Sequence, residues 1–163
     1  MKYILIVGKS NTGKSTTIDA VCKKINPTSV KRLIKRKELE EIDPVTPLHD
    51  GTFIAEIHGK TILVVAESPT EQNIKITALM AICAKLNLNI DVAIVAKRLV
   101  ERRFDFNTRK ELMVFGKCVL EERVKLINDK NFKETKEWQG RINKIHKIVK
   151  KTLRLKTSNQ QVK

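Results

Sequence analysis

The chain switches between two hydropathic periods. Lys2 to Val7 is an aliphatic, β-branched run, apolar on both faces and closed by Gly8, the pattern of a central strand in a parallel sheet. From Lys14 the period lengthens: Ile18, Val21, Cys22 and Ile25 recur at i, i+3, i+4 and i+7, one face of a helix. Lys23 and Lys24 stand at its C-terminal end, where the helix dipole favours cations. Strand, glycine loop and helix therefore open the chain. Phe53 to Ile57 and Thr61 to Val65 read as two strands joined at His58-Gly59, whose glycine supplies the positive φ of a tight hairpin turn. From Asn26 to Gly51 the pattern weakens. Pro27, Pro44 and Pro47 interrupt it, and the basic stretch Lys31 to Lys37 is answered by Glu38, Glu40, Glu41 and Asp43. A partly helical Val30 to Ile42 and a short strand over Val30 to Ile34 both fit that segment.

Ile62 to Ala66 is apolar on both faces and stops abruptly at Glu67-Ser68-Pro69-Thr70-Glu71. Ser68 as the cap, Pro69 at the first helical position and Glu71 three residues after the cap compose a capping box, which predicts one helix running to about Leu86. Ile90 to Ala96 predicts another buried strand, Thr108 to Phe115 a short helix, and Val119 to Ile127 a weaker strand. Asn131 to Leu155 closes the chain as a long helix with an apolar stripe of Trp138, Ile142, Ile145, Val149 and Thr152 or Leu153. These elements predict an α/β fold: a mainly parallel sheet flanked by helices, with one antiparallel hairpin strand. They form a single domain over residues 1–155, followed by a flexible basic tail over 156–163.

Composition narrows the class. At 163 residues and 41% hydrophobic side chains the chain supports one core, and six Gly with four Pro exclude a low-complexity or collagen-like chain. Its longest apolar runs fall short of the roughly twenty residues that cross a bilayer, and the apolar N-terminal stretch is too short for a signal peptide. A cytoplasmic protein with no membrane partner is the expectation. Cys22, Cys83 and Cys118 are odd in number, far apart and set in apolar surroundings, which predicts reduced, buried thiols rather than disulfides or a zinc site. His49, His58 and His146 show no metal-ligand spacing, and Ser10 and Ser15 have no paired base, so serine-hydrolase chemistry is disfavoured.

The chemistry is concentrated in Gly8-Lys9-Ser10-Asn11-Thr12-Gly13-Lys14-Ser15, which fits G-x-x-x-x-G-K-[ST] at every constrained position between a predicted strand and a predicted helix. Two glycines let the backbone curl so that successive N–H groups point inward at a positive helix N-terminus, a cradle for phosphate. Lys14 adds a mobile cation for β- and γ-phosphate oxygens, and the Ser15 hydroxyl is placed to ligate a magnesium ion bridging them. Gly8, Ser10, Asn11, Thr12, Gly13, Lys14, Ser15 and Thr16 are thus the nucleotide-binding candidates, Thr16 toward the α-phosphate.

Residues 1–25, and more loosely the strands up to Ala96, resemble the P-loop NTPase superfamily (the Walker A pattern). The resemblance implies a P-loop NTPase fold and binding of a magnesium nucleoside triphosphate. It also implies an acidic residue at the end of an apolar strand lying beside the loop strand. Glu67 is the best match, although aspartate is commoner there; Asp91 is poorer, since it begins its strand. Lys14 and Glu67 are accordingly the catalytic candidates, with Ser15 and Glu67 toward the metal. The hairpin feeding Glu67 looks like that of switch GTPases, in which a loop threonine, here Thr46 or Thr52, completes the metal shell. That likeness stops there: no glycine follows Glu67 at the switch spacing, and no N-K-x-D guanine reader occurs after Ile94 or Leu126, so ATP is expected in preference to GTP.

Charge adds two further readings. Lysine and arginine total 33 against 18 acids, a formal net charge of +15. Arg98, Arg102, Arg103 and Arg109 follow the Ile90 to Ala96 strand where kinases of the superfamily carry an arginine lid, so a small-molecule or nucleotide kinase is an alternative to a slow ATPase. From Trp138 to the end the chain has eight Lys or Arg and no acid, which favours a solvated basic helix face, or else contact with nucleic acid or an acidic partner in a nucleotide-regulated binding module. Few aromatics interleave those cations, so a stacking platform for bases is absent from the pattern.

Overall fold

The computed structural model describes residues 1–154; the tail from 156 lies outside the described residues. The chain is α/β, with one seven-stranded sheet and five helices. The strands are β1 (Lys2–Gly8), β2 (Ser29–Ile34), β3 (Glu38–Ile42), β4 (Thr52–Ile57), β5 (Lys60–Val65), β6 (Val92–Arg98) and β7 (Lys117–Arg123), in the order β3-β2-β4-β5-β6-β1-β7. The helices are α1 (Lys14–Ile25), α2 (Pro69–Gln72), α3 (Ile76–Lys85), α4 (Thr108–Phe115) and α5 (Lys136–Leu153). No helix among the described residues is long and apolar enough to cross a membrane.

The sheet is mixed, which corrects the expected mainly parallel one. β5, β6, β1 and β7 pair in parallel, whereas β2 with β3, β2 with β4 and β4 with β5 are antiparallel, three of the six pairings. The departure comes from the segment that both a helix and a strand fitted. It forms the β2–β3 hairpin, whose register sets Lys31 opposite Glu41 and Arg32 opposite Glu40. Opposed charges on neighbouring strands contribute about 0.2–1 kcal/mol each, and the acids along β3 discourage further pairing at that edge. The turn needs positive φ at Lys35 (51°) and Arg36 (55°), neither of them a usual turn residue, so it left no mark in the sequence.

The central strands bury both faces, with alternate residues going to opposite layers. Ile4 and Ile6 of β1 join Ile18, Val21, Cys22 and Ile25 of α1 and Trp138, Ile142, Ile145, Val149 and Leu153 of α5 on one face. Tyr3, Leu5 and Val7 join Ile76, Leu79 and Cys83 of α3 and Leu112 of α4 on the other. Each buried aliphatic side chain contributes about 1.5–3 kcal/mol by leaving water, against about 0–1 kcal/mol for an exposed ion pair. These two layers hold the molecule, and the basic surface does not.

Other expectations are corrected as well. The helix after Glu67 is two helices, because Asn73 adopts a left-handed conformation (φ 53°) that closes α2 before α3 begins. The capping box does not form: the Ser68 hydroxyl makes no cap hydrogen bond and is buried without a partner, while Glu71 is drawn off to Arg98. Finally, Cys22 and Cys83 are buried but Cys118 is exposed, since β7 is an edge strand. The closing helix starts later than its stripe suggests, after a 3-10 turn at Phe132–Glu134, with Thr135 capping it through the Trp138 amide. Leu153, not Thr152, completes the buried stripe.

Candidate functional site

β1 ends at Gly8 beside the C-terminal end of β6, where Gly8 aligns with Arg98. The connections out of these neighbouring strands leave to opposite faces: α1 packs with α5, and α4 packs with α3. A crevice therefore opens between them at the carboxyl ends, the place where open α/β sheets bind ligands. The glycine loop lies across this crevice.

The loop's conformation follows from its residues. Gly13 is left-handed (φ 91°), as is Asn11 (φ 58°), one of the few side chains that tolerate that region. Gly13 caps α1 without a side-chain hydrogen bond, so no side chain covers the amides of the first helical turn. Thr12 donates its hydroxyl to the Lys9 carbonyl at 2.8 Å, and the Lys14 ammonium donates to the same carbonyl at 2.7 Å. Lys14 is only 7% exposed. Burial pushes its pKa down, with Arg98 adding to the fall and Glu71 opposing it, so an anion entering the loop meets a charge that lacks a close counter-ion. Gly8 has no room for a side chain: a Cβ there would stand 2.5 Å from Thr12 Oγ1 and 2.9 Å from the Val124 carbonyl oxygen. Gly8→Ala is expected to cost about 1–3 kcal/mol by overpacking, seen as a fall of several degrees in the thermal unfolding midpoint; an unchanged midpoint contradicts the close approach.

Three connected cavities surround the loop. The central one, about 170 Å³, is lined by Ser10, Asn11, Thr12, Gly13, Lys14 and Ser15 on one side and by His49, Asp50, Glu67 and Glu71 on the other. Glu67 thus reaches the loop, but its strand does not lie beside β1 as expected: β6 intervenes between β5 and β1. The Gly51 carbonyl accepts from the amides of Ala66 and Glu67, and Gln72 donates to the carbonyls of Glu67 and Gly51, which fixes the Glu67 backbone. Burial raises the Glu67 pKa above the ordinary carboxylate range, and the charges of Asp50 and Glu71 raise it further. Neither Thr46 nor Thr52 lines this cleft, and the Thr52 hydroxyl donates to Gln72 at 3.1 Å. Asp50 takes that side of the cleft; only its place just before β4 hinted at this. The donors are hard oxygens. No three of the His, Cys, Asp or Glu residues described stand close enough to hold a metal by themselves, the situation in which magnesium relies on phosphate oxygens for much of its shell.

The second cavity, about 280 Å³, shares Asn11, Thr12, Gly13 and Ser15 with the first and adds Thr16, Leu126, Ile127, Phe132, Trp138 and Arg141. Phe132 and Trp138 meet edge to face at 5.1 Å, and the Arg141 guanidinium lies 5.6 Å from the Trp138 ring centroid. Arg141 also donates to the Lys125 carbonyl at 2.7 Å and approaches Thr17 Oγ1 at 3.4 Å. Sequence periodicity put Trp138 in a core stripe and Arg141 on a solvated face; their i, i+3 spacing puts them on neighbouring parts of α5, but only tertiary packing sets both beside the loop. Farther along α5, Lys144 pairs with Glu122 at 2.8 Å.

The third cavity, about 630 Å³, shares Ser10 and Glu71 with the central cleft and is lined by Lys9, Thr70, Arg98, Leu99, Val100, Arg102 and Arg103. Arg98 pairs with Glu71 at 2.7 Å. Arg109 is not brought to this cavity: it sits at the start of α4 and pairs with Glu121 of β7. Comparison of the chain with protein-family models, with curated proteins and with solved structures yields no match to any of them.

Proposed function

We propose that the chain binds a nucleoside triphosphate with magnesium and hydrolyses it, with ATP preferred over GTP, on a P-loop NTPase fold. The observation that carries this reading is the buried Lys14 ammonium folded over the Lys9 carbonyl, at an uncapped helix N-terminus, facing a cleft closed by carboxylates. The loop amides and Lys14 hold the phosphate chain. Ser15 and Glu67 are the hard donors that suit magnesium, which when bound neutralises charge on the β- and γ-phosphate oxygens. Glu67 orients the attacking water and takes its proton as the bond from the γ-phosphorus to the bridging oxygen breaks. The nucleoside occupies the aromatic cavity. The preference for ATP rests on the sequence, which has no N-K-x-D guanine reader after Ile94 or Leu126.

Trp138 is the sole tryptophan, so its emission reports on that cavity directly. ATP and ADP are expected to change Trp138 fluorescence on binding, whereas inorganic tripolyphosphate binds with little change. Calorimetric binding of ATP with a silent Trp138 rejects the placement of the nucleoside; absence of heat with every one of these ligands rejects triphosphate binding itself.

The cationic cavity favours a second reading, transfer of the γ-phosphoryl group to a hydroxyl of a bound small molecule instead of to water. At about 630 Å³ it lies within the roughly 300–1,000 Å³ typical of small-molecule sites.

A further inference from the structure

The third cavity is built around a fixed cationic segment. Lys97, at the end of β6, is 4% exposed and stands 3.8 Å from the Glu101 carboxylate, itself almost fully enclosed. Glu101 in turn accepts from the Thr108 amide at 2.9 Å and from the Thr108 hydroxyl at the first residue of α4. A buried pair of this kind gives modest net stability, but breaking it is costly, so the segment from Leu99 to Asn107 is pinned at both ends. Arg102 and Arg103 follow directly on the pinned Glu101. Neither forms an ion pair among the described residues, and Arg103 donates only to the Asn73 side chain at 3.1 Å.

The cavity walls carry four cations, Lys9, Arg98, Arg102 and Arg103, against one acid, Glu71, and that acid is already answered by Arg98. Such a wall selects an anion. The cavity adjoins the central cleft, sharing Ser10 and Glu71 with it, and extends beyond it to Arg102 and Arg103.

We propose that this cavity binds a small organic phosphate, its phosphate group held by Arg102 and Arg103. Resting on the second reading above, this ligand is the phosphoryl acceptor and so is itself a phosphorylated small molecule: its hydroxyl oxygen bonds to the γ-phosphorus, the hydroxyl proton passes to Glu67, and the bond to the β–γ bridging oxygen breaks to release ADP. Two guanidinium groups at neighbouring positions offer the planar, bidentate donors that match a phosphate monoester.

The test titrates inorganic phosphate and glycerol 3-phosphate into the protein saturated with magnesium and a non-hydrolysable ATP analogue, so that the loop is occupied. Both probes are expected to bind, and the double variant R102Q/R103Q to bind each at least about tenfold more weakly, with its thermal midpoint and its affinity for the ATP analogue kept. In Lys14→Ala, with no nucleotide bound, phosphate binding is expected to persist, which separates this site from the loop. Failure of the ATP analogue to bind, with phosphate binding still sensitive to R102Q/R103Q, upholds the anion site and removes only the triphosphate reading. No phosphate binding, or binding indifferent to R102Q/R103Q, overturns the proposal. So does loss of ATP-analogue affinity in the double variant with phosphate binding intact, because the arginines then serve the triphosphate. A single-stranded oligonucleotide lacking terminal phosphates that displaces glycerol 3-phosphate at equal phosphate concentration also overturns it, in favour of a nucleic-acid backbone.

Discussion

Lys14→Ala is expected to weaken ATP binding by at least about a hundredfold, to the point where calorimetry records no saturable heat. The size of the effect follows from what Lys14 does. Its ammonium is enclosed, its only hydrogen bond among the described residues runs to the Lys9 carbonyl at 2.7 Å, and burial lowers its pKa. A group in that state gains when a polyanion arrives, because the anion replaces both the lost water and the missing counter-charge. Hydrogen bonds to charged groups contribute about 1.5–3 kcal/mol each, and two of them, to β- and γ-oxygens, exceed the ~2.7 kcal/mol that a hundredfold change requires. The alanine also removes the Nζ that bridges the loop, so a circular-dichroism spectrum and melting curve belong beside the titration. An unfolded variant leaves the point to Lys14→Met, which keeps the stem and removes the charge. Unchanged affinity in a folded Lys14→Met protein removes the basis of the assignment.

Glu67→Gln has the second largest expected effect: turnover falls by about 10²–10⁴, the range a positioned general base supplies, while ATP still binds. The substitution keeps the shape of a side chain whose backbone is held by Gly51 and Gln72, so the cleft stays assembled. The pH dependence gives a second readout. Glu67 must be ionised to act as a base, and burial, Asp50 and Glu71 hold its pKa above the ordinary carboxylate range. In the parent protein kcat/KM therefore rises with pH through that raised pKa and then levels off, and the rise is absent in Glu67→Gln. Hydrolysis at the parental rate, or an acid limb that survives the substitution, rejects Glu67 as the base and redirects attention to Asp50 and Glu71 on the same cleft.

How much of this was legible depended on the range of the interactions. β1, the glycine loop and α1 were readable because their pattern is local: an aliphatic strand, glycine with left-handed geometry at Gly13, and an apolar face at helical spacing that becomes the buried face of α1. The β4–β5 hairpin was readable for the same reason, since His58 (φ 47°) and Gly59 (φ 72°) make the turn that the dipeptide advertises. The β2–β3 hairpin was not, because its charged residues are ones that a helix would also accommodate on its surface, and its turn is made by two basic residues in an unusual conformation. Likewise the break at Asn73 is invisible to a period count but ends a helix outright.

The amino-acid sequence by itself determined the α/β character, the phosphate-cradle pattern at Gly8 to Ser15 and the candidacy of Glu67, because these rest on residue chemistry and spacing within a few positions of one another. Only the tertiary structure decided strand order, with β6 between the loop strand and the Glu67 strand, and the company the loop keeps: Asp50 across the cleft, Trp138 and Arg141 on one flank, Arg102 and Arg103 on the other. Those neighbours come from segments up to about 130 residues away, brought together by burial of two apolar faces of the sheet. Burial specifies which side of a residue turns inward but says nothing local about which distant residue it will meet.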